Sequence, residues 1–211
     1  DTADRTVTLL YAAWLARRAD ERCVPLVEAL LAARTAPGVG PVPEVAVLAC
    51  FHERRGDWPA AAAAWQRTAA YTVTIEAIAN DLVEAARDLR RGGDREAASA
   101  LGARIAGRGY GWATGLFRYD EATALAAHGQ LDAALALPDQ PLAARYAEQV
   151  RIALLTLRGD LLTRAGRADE ARTAYAAAVA QAGRVGKLLP GEGLEANLAR
   201  AKAGLAKAGA R

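Results

Sequence analysis

The residues able to do chemistry are few and scattered. Ser99 is the only serine and sits in a run rich in alanine, so the strand-turn-helix setting of a nucleophile elbow is missing. His52 and His128 lie far apart in sequence, without carboxylate or cysteine ligands at metal-binding spacing around both. Cys50, His52 and Glu53 are close in sequence, but positions i and i+2 of a helix face apart, so His52 reads as a core-edge residue rather than a metal ligand. The glycine-rich GRGYGW at 107–112 lacks GxGxxG spacing and has no strand before it, so it reads as a loop rather than a phosphate cradle. Cys23 and Cys50 allow at most one disulfide, which would imply an oxidising compartment. No enzyme, cofactor or metal site is expected.

What must position any binding group is therefore the scaffold. The 211 residues contain 53% AVILMFWYC, but alanine supplies about half of that set and only 6% is aromatic, so apolar surface comes in small pieces suited to helix-on-helix packing. β-branched and aromatic residues are too sparse, and too rarely alternate with polar ones, to build a sheet. Every apolar run is interrupted by charge before about 18 residues, so nothing here spans a bilayer. The net charge of +3 is spread over 27 basic and 24 acidic residues that interleave, which excludes the concentrated basic face of a direct nucleic-acid binder. Arginine in large excess over lysine reads as GC-rich bacterial coding. The start at Asp1 fits either a mature chain after leader removal or a piece of something longer.

Glycines carry the main signal. Gly56, Gly93, Gly129 and Gly166 are separated by 37, 36 and 37 residues. Seven positions before each stands a small residue, Ala49, Ala86, Ala122 or Gly159, and five positions after each stands Ala61, Ala98, Ala134 or Ala171. The period predicts helical hairpins in which glycine ends the first helix in the left-handed region, Asp57 or Asp94 caps the second, and small residues mark close helix crossings. A lone hairpin leaves one face open, so stacked neighbours must cover it.

The register predicts one all-α domain over 1–211: a right-handed α-solenoid of five units of period 36–37, near 1–38, 39–73, 74–110, 111–141 and 142–183, plus a capping helix near 192–208. Helices are expected near 4–18, 22–35, 43–55, 58–70, 75–91 and 94–107, with no turn glycine in the first unit. A helix from Leu131 must stop at Pro138, and the chain is expected to restart as helix near Leu142 and run to Ala165. The loop 183–193 then leads into the cap. Trp14, Trp65 and Tyr175 fall at packing positions and read as core.

The fifth unit, with Leu155, Gly159, Leu162, Gly166, Ala171, Tyr175 and Ala178, resembles the tetratricopeptide repeat, whose signature places large, Gly, large, Gly, Ala, aromatic and Ala residues at these spacings. The second unit keeps Gly56, Ala61 and Trp65 but has Ala49 for the first glycine, and units three and four put Gly102 and Pro138 in the aromatic slot. The resemblance implies a scaffold that binds a protein or peptide along the surface formed by the first helix of each unit. Carried over, its binding positions are Glu53 and Arg54, then Asn80, Arg87, Arg90 and Arg91, Tyr119, and finally Asp160, Thr163 and Arg164. Such an Arg-rich groove suits an acidic segment gripped by bidentate hydrogen bonds, or these arginines form a solvated face. The Lys/Asn clamp that chaperone-binding members use on a peptide C-terminus is not reproduced.

A second candidate surface is the aromatic-basic stretch Arg108, Tyr110, Trp112, Phe117, Arg118 and Tyr119, which could instead seal the core under the fourth unit. The last unit also resembles periplasmic repeat proteins that accompany the secretion translocon, implying an exported location ahead of a cytoplasmic one. The alternative is an effector-sensing or self-associating repeat domain of a bacterial transcription activator.

Overall fold

At each predicted turn the glycine adopts a left-handed backbone, with φ of 71° at Gly56, 87° at Gly93, 78° at Gly129 and 76° at Gly166. The following amide then reaches back to a carbonyl in the last turn of the helix: Asp57 to His52 (3.0 Å), Asp94 to Leu89 (2.8 Å), Gln130 to Leu125 (3.0 Å) and Arg167 to Leu162 (2.9 Å). Four otherwise orphaned carbonyls are thereby satisfied by one device. The Asp57 and Asp94 carboxylates accept from the amides of Ala60 and Ala97, capping the next helix as predicted.

The computed structural model describes residues 2–34, 36–142, 147–185 and 192–209. Eleven α-helices run among them: α1 (Thr2–Ala16), α2 (Cys23–Ala32), α3 (Pro43–Arg54), α4 (Trp58–Gln66), α5 (Ile75–Arg91), α6 (Arg95–Gly107), α7 (Gly111–Ala127), α8 (Leu131–Ala136), α9 (Glu148–Arg164), α10 (Ala168–Val185) and α11 (Glu192–Gly209). The described residues hold no strand; Gly38 and Thr72 form a single β-bridge between the two inter-hairpin loops of the first three units. The chain is thus all-α, as the composition requires.

Several expectations need correction. The stretch after α4 tightens into a 3-10 helix, Arg67–Ala70, rather than continuing as α-helix. Leu142 and Ala147 are not helical and α9 starts at Glu148; residues 143–146 of the expected helix restart lie outside the described residues. At its other end α10 extends to Val185 through the expected loop start, while 186–191 of that loop lie outside the described residues. Trp112 belongs to the first turn of α7, not to a loop, since Gly109 (φ 72°) turns the chain in the short connection after α6.

The first unit has the same turn without the glycine. Ala19 holds φ of 54°, the only non-glycine among the described residues in that region, and Asp20 donates to the Leu15 carbonyl at 3.1 Å. Ala19 stands 37 residues before Gly56, and Ala12 fills the small position at its crossing, fully buried.

The chain forms two compact bodies, 1–107 and 108–211. In the first, α1 to α4 pack around Leu15, Val27, Leu31, Val45, Leu48 and Phe51, and α5 packs on α4 and α6. Its buried Glu44 is held by Arg5 of α1 and by Arg34 just beyond α2, the latter at 2.9 Å. In the second body α9 is central, packing on α7, α8, α10 and α11. Tyr175 lies between α9 and α11 where both backbones must be close. A β-carbon at Gly159 would stand 2.5 Å from its ring, and one at Gly204 would stand 2.4 Å away. The small residue of the repeat is therefore a steric requirement here, not a preference.

Candidate functional site

The groove positions divide between the two bodies, and the structure treats the two sets differently. In the first body α3 ends with Glu53 and Arg54, and α5 carries Asn80, Arg87, Arg90 and Arg91. Arg54 and Asn80 are exposed, and Arg87 is half-buried with its guanidinium hydrogen-bonded to Glu84 one turn earlier. Arg90 is half-buried. Arg91 donates to Asp88 at 3.0 Å and lies 5.5 Å over the Trp58 ring at the start of α4, so it leans toward the hairpin turn.

Asp88 is the unusual group of this cluster. Its side chain is 1% exposed and its Oδ2 has no hydrogen-bond partner. Burial above all, reinforced by the charge of Glu53, raises its pKa to about 6 against the pull of Arg91. Sequence reasoning missed it, since an aspartate one turn before an arginine looks like an ordinary surface pair.

In the second body the carried-over positions are knitted to the cap. Asp160 accepts from the Tyr175 hydroxyl at 2.7 Å and pairs with Arg200 of α11 at 3.0 Å. Arg200 in turn donates to the Tyr119 hydroxyl at 3.2 Å, joining α7, α9 and α11. Burial first, then the bond to Asp160, raises the Tyr175 phenol above its usual pKa, against the hydrogen bond shared with Thr163. Arg164 donates to the Ala126 carbonyl at 2.9 Å and so closes the end of α7. Trp112 is half-buried, as is Phe117. Arg118 donates to the carbonyls of Gln140 and Pro141 at 2.9 and 3.0 Å, and burial lowers its pKa. Arg200 was not singled out in the sequence, because nothing local marks which face of an Ala/Lys-rich helix points inward.

Other expectations resolve individually. Cys23 and Cys50 are free thiols, the first buried at the start of α2 with its pKa raised by burial. His52 is half-buried, packs edge-on against Phe51 at 5.1 Å, and has its pKa lowered by burial. Tyr175 is core, as expected, and Trp65 is half-buried. Trp14 is a correction: it is 48% exposed, its ring stacked on Tyr11 and covered by the Arg18 guanidinium rather than by the core. Among the described residues no group of three His, Cys, Asp or Glu is placed to hold a metal, and no helix is long and apolar enough to cross a membrane.

The profile of the tetratricopeptide repeat-like domain matches residues 47–199, well over half of the chain. The chain belongs to the tetratricopeptide repeat-like family. The match begins inside α3 and omits the first hairpin, where Ala19 replaces the turn glycine of the repeat. No curated protein and no solved structure matches the chain. Repeats of this family mediate protein–protein interaction, and the all-helical hairpin architecture described above is the one such repeats adopt.

Proposed function

We infer that this chain is a non-catalytic scaffold that binds an acidic protein segment along α3 and α5 of its first body. The observation that supports this most is the contrast between the bodies. In the second, Asp160, Tyr119 and Arg164 are consumed by bonds to α11 and to the end of α7, whereas in the first, Arg54, at the repeat position of Arg164, stays exposed, as does Asn80. Arg87 lies seven residues after Asn80 on the same helix, and its guanidinium, hydrogen-bonded to Glu84, can exchange that carboxylate for one from a partner. Ser99 lies on α6, His52 on α3 and His128 just after α7, so no two of them share an element among the described residues, which supports a binding role over catalysis.

The test is capture of partners on wild-type protein and on the variant Arg54→Glu/Arg87→Glu, with identification of what each retains and titration of a synthetic peptide from the retained segment. Binding to wild type that falls with added salt and is lost in the double variant supports the reading. Equal binding to both, with helicity and melting unchanged, places the interface elsewhere.

A further inference from the structure

The repeat register isolates one residue whose counterparts are all apolar. Five positions before the turn residue, the five units place Trp14, Phe51, Asp88, Ala124 and Leu161. Phe51 and Leu161 are buried, as the slot demands. Three positions further on, the second, third and fifth units carry Arg54, Arg91 and Arg164, one arginine of the groove set in each. The third unit alone sets a carboxylate one helical turn before that arginine.

The two partners of this pair live in different surroundings. The Asp88 side chain is 1% exposed and that of Arg91 is 53% exposed, and Arg91 donates to Oδ1 at 3.0 Å. Oδ2 is buried without a hydrogen-bond partner. An ionised carboxylate in such a place depends on its cation and holds it closely. The Arg91 guanidinium is accordingly fixed 5.5 Å over the Trp58 ring, at the hairpin turn. A carboxylate from a bound segment must compete with Asp88 for it.

The other groups around Asp88 do not relieve it. Glu53 of α3 and Glu84, one turn back on α5, both oppose its ionisation, and Glu84 is bonded to Arg87. α4 carries no titratable residue. The 3-10 helix brings Arg67, bonded to Glu28 and Tyr71, and Thr68, which donates to Asp81 on α5. The charged residues of α6, Arg95, Glu96 and Arg104, are exposed. Burial first, then Glu53, thus brings Asp88 to a pKa of about 6, where modest changes of pH alter its charge. His52 of α3, its pKa lowered by burial, is the other group that titrates nearby in pH.

We propose that Asp88 is a proton-controlled latch on the groove: ionised, it retains Arg91, and protonated, it releases that guanidinium to an acidic segment, so acidic partners bind more tightly as pH falls. The inference rests on the groove reading above. Asp88 is a positioning residue, since it acts through Arg91 and not on the ligand. The linkage is reciprocal: an anion that takes Arg91 raises the proton affinity of Asp88, so binding takes up protons.

Two measurements on the full chain test this. In the free protein, the Nε–H signal of Arg91 in heteronuclear NMR, assigned through Arg91→Lys, is expected to shift with a midpoint near pH 6. It should stay flat in Asp88→Asn, which is neutral at every pH and keeps His52 as an internal control. A signal flat in wild type, or a shift that survives in Asp88→Asn, overturns the latch. Calorimetry at low salt then follows hexa-aspartate, whose side chains are ionised at both pH 5.5 and 7.5. Wild type should bind it about fivefold more tightly at pH 5.5, with proton uptake near pH 6.5 read from buffers of different ionisation heat. Asp88→Asn should lose both the pH ratio and the uptake. The same ratio in wild type and Asp88→Asn overturns the regulation and leaves the groove standing. Hexa-aspartate that binds at neither pH, or binds Arg54→Glu/Arg87→Glu equally well, overturns the groove reading and the latch with it, even where the Arg91 signal titrates.

Discussion

Ala19 carries a strain that its four counterparts avoid. A β-carbon in the left-handed region crowds the backbone by about 1 kcal/mol or more, and glycine removes that cost while adding some unfolded-chain entropy. Ala19→Gly is therefore expected to raise stability by about 0.5–1 kcal/mol, read as a shift in denaturant midpoint with unchanged slope. Asp88 offers the opposite kind of residue-scale test. Its folded pKa, near 6, lies above the ordinary aspartate value, so the native state holds a proton that the unfolded chain has released between about pH 4 and 6. Stability from this group is present at low pH and lost as pH rises through 6. Asp88→Asn should stabilise by about 1–2 kcal/mol at pH 7.5, net of the lost Arg91 pair, and have almost no effect at pH 4; melting curves at the two pH values decide it. The turn glycines and caps were legible because a left-handed residue and a capping carboxylate leave local marks at fixed offsets. Asp88 was not, because its environment comes from Glu53 and α4, which no local pattern announces.

At the scale of elements, hairpin spacing set where helices begin and end, and the misses fall where proline or a second turn geometry intervened. The 37-residue step from Gly56 back to Ala19 was present in the sequence but masked by the alanine, and with it the shared register of α1 and α3. Exposure of Trp14 was hidden for a related reason, since an exposed residue of α1 has the same helical spacing as one covered by a neighbour. The α9–α11 contact can be broken by a single atom. Gly159→Ala puts a methyl 2.5 Å from the Tyr175 ring, and that ring is held from the other side by Gly204. The ring cannot retreat without losing its bond to Asp160, so a cost of about 2–3 kcal/mol is expected, against the small gain alanine brings to an open helix site. Gly107→Ala, whose β-carbon meets nothing within 4 Å, is the control and should be neutral or slightly stabilising.

The two bodies have separate cores, and a perturbation deep in one should register there first. Glu44 is the sharpest lever, because its carboxylate is 1% exposed and both its arginines come from outside its own helix. Burial alone would raise its pKa, but the bonds from its own amide, Arg34 and Arg5 prevail and hold it below the usual glutamate value. A depressed acid stabilises above its unfolded pKa, about 4.3, and the contribution disappears as pH falls through the lower folded value. Removing the carboxylate strands two arginines on the α1–α3 contact, so Glu44→Ala should cost about 3 kcal/mol at pH 7. Amide exchange by mass spectrometry locates that cost. Peptides from α1, α2 and α3 should lose protection while those from α9, α10 and α11 keep it, and the difference between variant and wild type should narrow as pH falls below 4. Equal loss across 1–107 and 108–211 would mean instead that the chain unfolds as one unit, with the repeats coupled along its whole length.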